Sequence, residues 1–211
     1  MALPIGLPWK RELSLRSFEP ENPKLFVPRR FGIGWDLNFG AIAAKLGIIR
    51  PDDSLPDLAP YVPKALSRTL TTAPWLLAAA NGVLAAKLAT KKGAAINWSL
   101  TGKPKDYASG KAVAAIAGRV SAASLLLPAL GAALDNKESD PSVDLATASQ
   151  DLGLQTLVTM LLVGTLRERN EPGKRQMLVA TAPLALFAVT GTAFVGTVKV
   201  ALNEISASLQ D

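Results

Sequence analysis

The apolar positions of this chain gather into four long runs separated by charged turns. The first run, Thr69 to Ala89, carries Pro74 in its opening turns, where proline costs least, and Lys87 near its end, where the side chain can snorkel. The second, Ala112 to Leu134, meets Arg119 two turns in and Pro128 in its far half. The third, Leu145 to Leu166, is interrupted by Gln150, Asp151 and Gln155, and its purely apolar part from Leu152 onward is short for a crossing. The fourth, Met177 to Leu202, has Lys199 as its only full charge. At about 1.5 Å per residue, such a helix crosses a hydrocarbon core of about 30 Å with room for tilt. The pattern predicts an all-α membrane protein with four transmembrane helices, over 69–89, 112–134, 145–166 and 177–202, within a domain of residues 66–205.

Residues 1–65 show neither long helical periodicity nor strand alternation. Nine prolines from Pro4 to Pro63 break them up, so the expectation is a Pro-rich, mostly irregular extramembrane module of short elements and turns. Its best helix starts at Asn38, a residue suited to an N-cap, and stops at Gly47, suited to a C-cap. Phe39, Ile42, Ala43 and Leu46 fall on one face of it. Pro51 to Pro63, with Asp52, Asp53 and Asp57, reads as a linker. The opening MALPIGLPWKRELSL does not read as a signal peptide, because Pro4 and Pro8 interrupt it and its basic residues follow the apolar part.

Composition sharpens this picture. Of 211 residues only 19% are charged, below the ~25% usual in soluble domains, and small residues that let membrane helices approach are abundant. The chain has no cysteine and no histidine, which excludes disulfides, thiolate metal sites, Cys nucleophiles, His-ligated haem and a His general base. The net charge of +6 fits loop topology and anionic phospholipid headgroups rather than nucleic acid. Lys91, Lys92, Lys103 and Lys105 outweigh Asp106 in the first loop, where Trp98 and Tyr107 are natural interfacial anchors. Asp135, Glu138, Asp140 and Asp144 outweigh Lys137 in the second, and RERNEPGKR from Arg167 to Arg175 is basic again. Basic loops stay on the cytoplasmic side, so the expected topology is a multi-pass protein of the plasma membrane with both termini outside.

Two spans carry small residues every fourth position: Ala78, Gly82 and Ala86 in the first, Ala114, Gly118 and Ala122 in the second. Residues four apart share a helix face, so each stripe offers a shallow groove, either to another integral membrane subunit or to a helix of this same bundle. Arg119, Asp151 and Lys87 lie at or near membrane depth. Arg119 lies near the basic-loop side of the bilayer and Asp151 near the acidic-loop side, so snorkelling suits each better than a direct pair. Gly32-Ile-Gly34 fails the dinucleotide spacing because Leu37 stands where a glycine is needed. Neither a P-loop nor a pair of catalytic acids stands out, and the expectation is a non-enzyme without metal or cofactor.

The most specific stretch is FEPENPKLFVPRRFGIGWDLNFG, Phe18 to Gly40. It holds the pair Asn22-Pro23, then Leu25 to Pro28, Arg29 and Arg30, Phe31-Gly32, Gly34-Trp35 and Leu37-Asn38-Phe39. In that order it resembles a short bacterial domain of unknown function that accompanies membrane spans. Arg29 and Arg30 beside Phe31, Trp35 and Phe39 could meet lipid phosphates or an acidic partner surface, or the aromatics could form the module's own core. The Ala-rich chain as a whole looks like an uncharacterised actinobacterial membrane protein. Spans with grooves but no reactive centre point to a non-catalytic accessory subunit of a larger membrane complex, and that resemblance implies a respiratory cytochrome supercomplex as the complex. The alternative is a small transporter or lipid-binding membrane protein with a polar cavity around Gln150, Asp151 and Gln155.

Overall fold

A computed structural model describes residues 5–6, 11–29, 32–135 and 140–210. Four long helices dominate it: α3 (Lys64–Ala89), α4 (Gly110–Asp135), α5 (Pro141–Asn170) and α6 (Met177–Ser208). Two short helices precede them, α1 (Phe39–Lys45) and α2 (Leu55–Leu58). Three two-stranded antiparallel sheets pair β1 (Ile5–Gly6) with β3 (Gly32–Ile33), β2 (Phe26–Pro28) with β4 (Trp35–Leu37), and β5 (Ala94–Trp98) with β6 (Pro104–Ala108). The chain divides into two compact units. One holds residues 1–72, 126–150 and 190–211; the other holds residues 73–125 and 151–189. Each long helix contributes a segment to both.

Three helices, α3, α4 and α6, are long and apolar enough to cross a membrane. The expectation of four such helices is therefore met in part. The third expected span, α5, has 30 residues, enough for about 45 Å, but is too polar to join them. The polarity has a structural reason: most of its positions are buried or half-buried, among them Ser149, Asp151, Gln155 and Glu168. Hydropathy picks out helices with an apolar surface, and most positions of α5 are turned inward.

In the first unit, the N-terminal module is built around Asn38. Its Oδ1 accepts from the main-chain N–H groups of Glu19 at 3.0 Å and Ala41 at 3.1 Å, so it caps α1 and holds the preceding loop together. Its Nδ2 donates to the carbonyls of Glu19, Asn22 and Lys24. Gly40 lets that loop pass against the helix, since a Cβ there would stand 2.6 Å from the nitrogen of Pro20. The helix ends in a Schellman arrangement: Ile48 N–H reaches the Ala43 carbonyl at 2.9 Å and Gly47 N–H the Ala44 carbonyl at 3.0 Å, with Gly47 at φ 66°. The caps are where the sequence put them, but the buried face is shifted. Phe39, Gly40, Ala41 and Ala43 are buried, while Leu46 is exposed.

Phe194 of α6 anchors this module. Its ring stacks on Phe18 at 5.0 Å and on Phe39 at 6.0 Å. A 3-10 helix, Arg11–Phe18, is tied to α5 by Ser14 with Thr147 at 3.0 Å and by Gln150 Nε2 donating to Ser17 Oγ at 2.6 Å. Pro51 to Pro63 is not a linker: it folds into α2 and a 3-10 turn, with Leu55, Leu58, Ala59 and Val62 buried. Ahead of α5, Asp140 accepts from the N–H and hydroxyl of Ser142, which holds its carboxyl below the usual range, and Pro141 occupies the first helical position.

In the second unit, Ala85, Leu88, Ala94, Ala114, Val158 and Leu162 form a small core. The stretch expected as a loop after the first span is a β-hairpin, β5–β6, closed by Gly102 at φ 73°.

Candidate functional site

The interior of the second unit is polar where α3, α4 and α5 meet. Gln155 on α5 is fully buried, and all of its side-chain hydrogen-bonding groups have partners. Its Oε1 accepts from Asn81 Nδ2 at 2.9 Å and from Ser121 Oγ at 2.6 Å. Its Nε2 donates to the Ser121 carbonyl at 2.9 Å and to Ser124 Oγ at 2.9 Å. Thr159, one turn on, donates to Asn81 Oδ1 at 2.8 Å. Five side chains thus satisfy one another across three helices, which is how polar residues are kept away from lipid.

Gln150 and Gln155 have separate hydrogen-bond partners. Gln150 bonds Ser14 and Ser17 in the first unit, and Gln155 bonds Asn81, Ser121 and Ser124 in the second. Asp151 is buried rather than reaching out toward a headgroup, whereas Arg119 and Lys87 are exposed.

The small-residue stripes face outward more than inward. On α3, Asn81, Ala85 and Leu88 are buried, and the stripe lies one position around the helix from them. Ala78 is half-buried, Gly82 and Ala86 are exposed, and a Cβ on Gly82 would meet nothing within 4 Å. On α4, Ala114 is buried, Gly118 half-buried with open space at its Cβ position, and Ala122 exposed. Packing within the unit therefore fully buries Ala114 and leaves Gly82, Ala86 and Ala122 exposed.

At one end of the second unit, the β5–β6 hairpin is locked to the turn between α5 and α6. Gln176 N–H donates to the Gly102 carbonyl at 2.7 Å, and Arg169 Nη1 donates to the Gly93 carbonyl at 3.3 Å. The buried carboxylate of Glu168 accepts from Tyr107 Oη at 2.6 Å and from Gly173 N–H at 3.0 Å. The bond to Glu168 raises the Tyr107 pKa above its ordinary value, with burial and the Glu168 charge adding to it. Beside the hairpin, an apolar groove of about 280 Å³ opens between β5, α4 and α5, lined by Ile96, Trp98, Ile116, Val120, Leu157 and Leu161 among others.

The N-terminal candidates separate. Phe39 is core. Trp35 is 41% exposed and Phe26 62%, on the face of the β2–β4 pair opposite the buried Val27. Arg29 borders that face; Arg30 and Phe31 lie outside the described residues. Of the aromatics considered either for contact with lipid or a partner or for the module's own core, Phe39 turns inward and Trp35 outward.

Residues 20–45 match a family of unknown function, DUF5808. The matched segment is the stretch organised by Asn38, from the loop that Asn38 holds to the last turn of α1. No curated protein and no solved structure matches the chain.

The sequence reading missed the Asn81–Ser121–Ser124 side of the polar network. The signal was present as a lone Asn in an apolar run and a Ser pair three apart, facing a Gln and a Thr four apart.

Proposed function

We propose that this protein is a non-catalytic accessory subunit of a larger integral membrane assembly, embedded in the plasma membrane by four helices with both termini outside. The observation that carries the reading is the outward stripe on α3, where Gly82 and Ala86 are exposed beside a helix face already filled by Asn81, Ala85 and Leu88. A second helix can approach such a face closely, and close approach is what drives helix association in lipid. The mutually satisfied polar interior fits a scaffold, since its hydrogen bonds are spent between helices. It also fits α5 as the fourth crossing: its polar side is sheltered, so it need not be apolar to cross. Sequence resemblance makes a respiratory cytochrome supercomplex the candidate assembly.

The experiment is purification in a mild detergent, with native gel and mass spectrometry, of the parent and of Gly82→Leu. The reading predicts that the parent travels with defined membrane subunits at fixed stoichiometry and that Gly82→Leu releases them while remaining folded. A parent that runs alone, or a variant that keeps its companions, overturns it.

A further inference from the structure

We infer that the apolar groove beside the β5–β6 hairpin holds an acyl chain of an anionic phospholipid, whose phosphate meets the cations at the hairpin end. The inference rests on the membrane placement of α4 and not on the accessory-subunit reading.

The groove walls from α4 and α5 are hydrocarbon up to Thr165: Ile116 and Val120 stand on one side, Leu157 and Leu161 on the other. Ile116 and Val120 lie on a helix apolar enough to cross a membrane, so the groove opens where lipid tails are. At its other end the wall changes character. Trp98 of β5 lines it, an aromatic suited to the depth of the headgroups. Thr165 is the last α5 residue of the wall, and Arg169 follows it on the same face one turn later. The Arg169 guanidinium is placed there, since one nitrogen donates to the carbonyl of Gly93, two residues before the groove residue Ala95. That bond uses one of its five donors and leaves the others for a phosphate. Lys111, exposed, stands two residues before the first α4 residue of the wall, Val113; exposed Lys103 and Lys105 belong to the paired strand or its approach and outnumber its one acid, Asp106, which accepts from Asn97. A tail-shaped apolar slot that ends in a cationic rim complements one amphiphile: an apolar chain with a negative head. A neutral headgroup satisfies the slot but not the rim.

Trp98 itself is the reporter. In a variant with Trp9, Trp35 and Trp75 changed to Phe, the full-length protein is placed in phosphatidylcholine vesicles containing a minority of phosphatidylglycerol. The bromine label is on the acyl chains of one lipid or the other, and bromine quenches tryptophan on contact. The inference predicts that brominated phosphatidylglycerol quenches Trp98 well beyond its mole fraction. Arg169→Gln lowers that preference about fivefold, as expected for one cation at a lipid surface. Ala117→Phe, which fills the groove from α4, removes the quenching while leaving the thermal unfolding of the chain in place. Quenching that follows bulk composition for both lipids means unselective boundary lipid and overturns the inference. So does the absence of quenching by either lipid, which means protein covers the groove. Loss of companion subunits in Gly82→Leu leaves this result untouched, so the two ideas fail separately.

Discussion

Replacing Gln155 with Leu keeps the side-chain size on α5 and removes its polar end. Four hydrogen bonds vanish: those from Asn81 and Ser121 to Oε1, and those from Nε2 to the Ser121 carbonyl and Ser124. The size of the loss depends on what is left unpaired. Asn81 Nδ2 still reaches the main-chain carbonyl of residue 155 at 3.1 Å, and Ser124 still donates to the Ser121 carbonyl at 3.0 Å. Only the Ser121 hydroxyl loses its partner outright. The penalty for several buried orphans, about 1–3 kcal/mol each, therefore does not apply across the board. Interhelical hydrogen bonds within a membrane average about 0.6 kcal/mol, and four of them give a loss of about 2 kcal/mol. That is roughly a thirtyfold shift in the folded-to-unfolded ratio. Unfolding in dodecyl maltoside micelles by added SDS reads it directly, and a cycle with Asn81→Ala isolates a coupling of about 0.6 kcal/mol. If Gln155→Leu matches or exceeds the parent in stability, the polar core contributes nothing to holding these helices together. If the variant is stable but loses movement of a solute, the network belongs to a pathway instead.

Further predictions concern the two ends of the fold. Gly40→Ala places a methyl 2.6 Å from Pro20 N and 2.9 Å from two atoms of Glu19, all backbone, so the loop must shift; overpacking of this kind costs about 1–3 kcal/mol, read as earlier thermal unfolding. The Tyr107–Glu168 bond stabilises the neutral phenol. Its contribution is complete below the ordinary tyrosine pKa of about 10 and is lost as pH rises through the higher folded value. Alkaline unfolding of the parent should therefore steepen above about pH 10, and Tyr107→Phe, destabilised at neutral pH, should show less of this steepening.

The long helices were legible because three of them are long and apolar enough to cross a membrane, and such runs stand out in hydropathy. Their ends extended past the apolar runs, as at Lys64 and Ser208, because a helix does not stop where hydrocarbon does. The caps of α1 were legible because Asn38 and Gly47 act through local backbone geometry. Leu46, Pro51 to Pro63 and the strand pairs were not. Which face of α1 is buried depends on Phe194, far away in the chain, and strands of two to five residues leave too little alternation to read. The N-terminal candidates split for the same reason: Phe39 and Trp35 are both aromatic and close in sequence, and only their packing separates them. The polar network hid within apolar runs, because single Asn and Ser residues hardly change a hydropathy average.

The account depends most on α5 crossing the bilayer despite its polarity. The chain has no cysteine, so single cysteines at Lys137, before α5, and at Lys174, after it, can be labelled cleanly with a membrane-impermeant maleimide. Four crossings predict that the 137 position labels on intact cells and the 174 position only after permeabilisation. Labelling of both positions from the same side would mean that α5 does not cross, and the four-helix membrane architecture would be wrong.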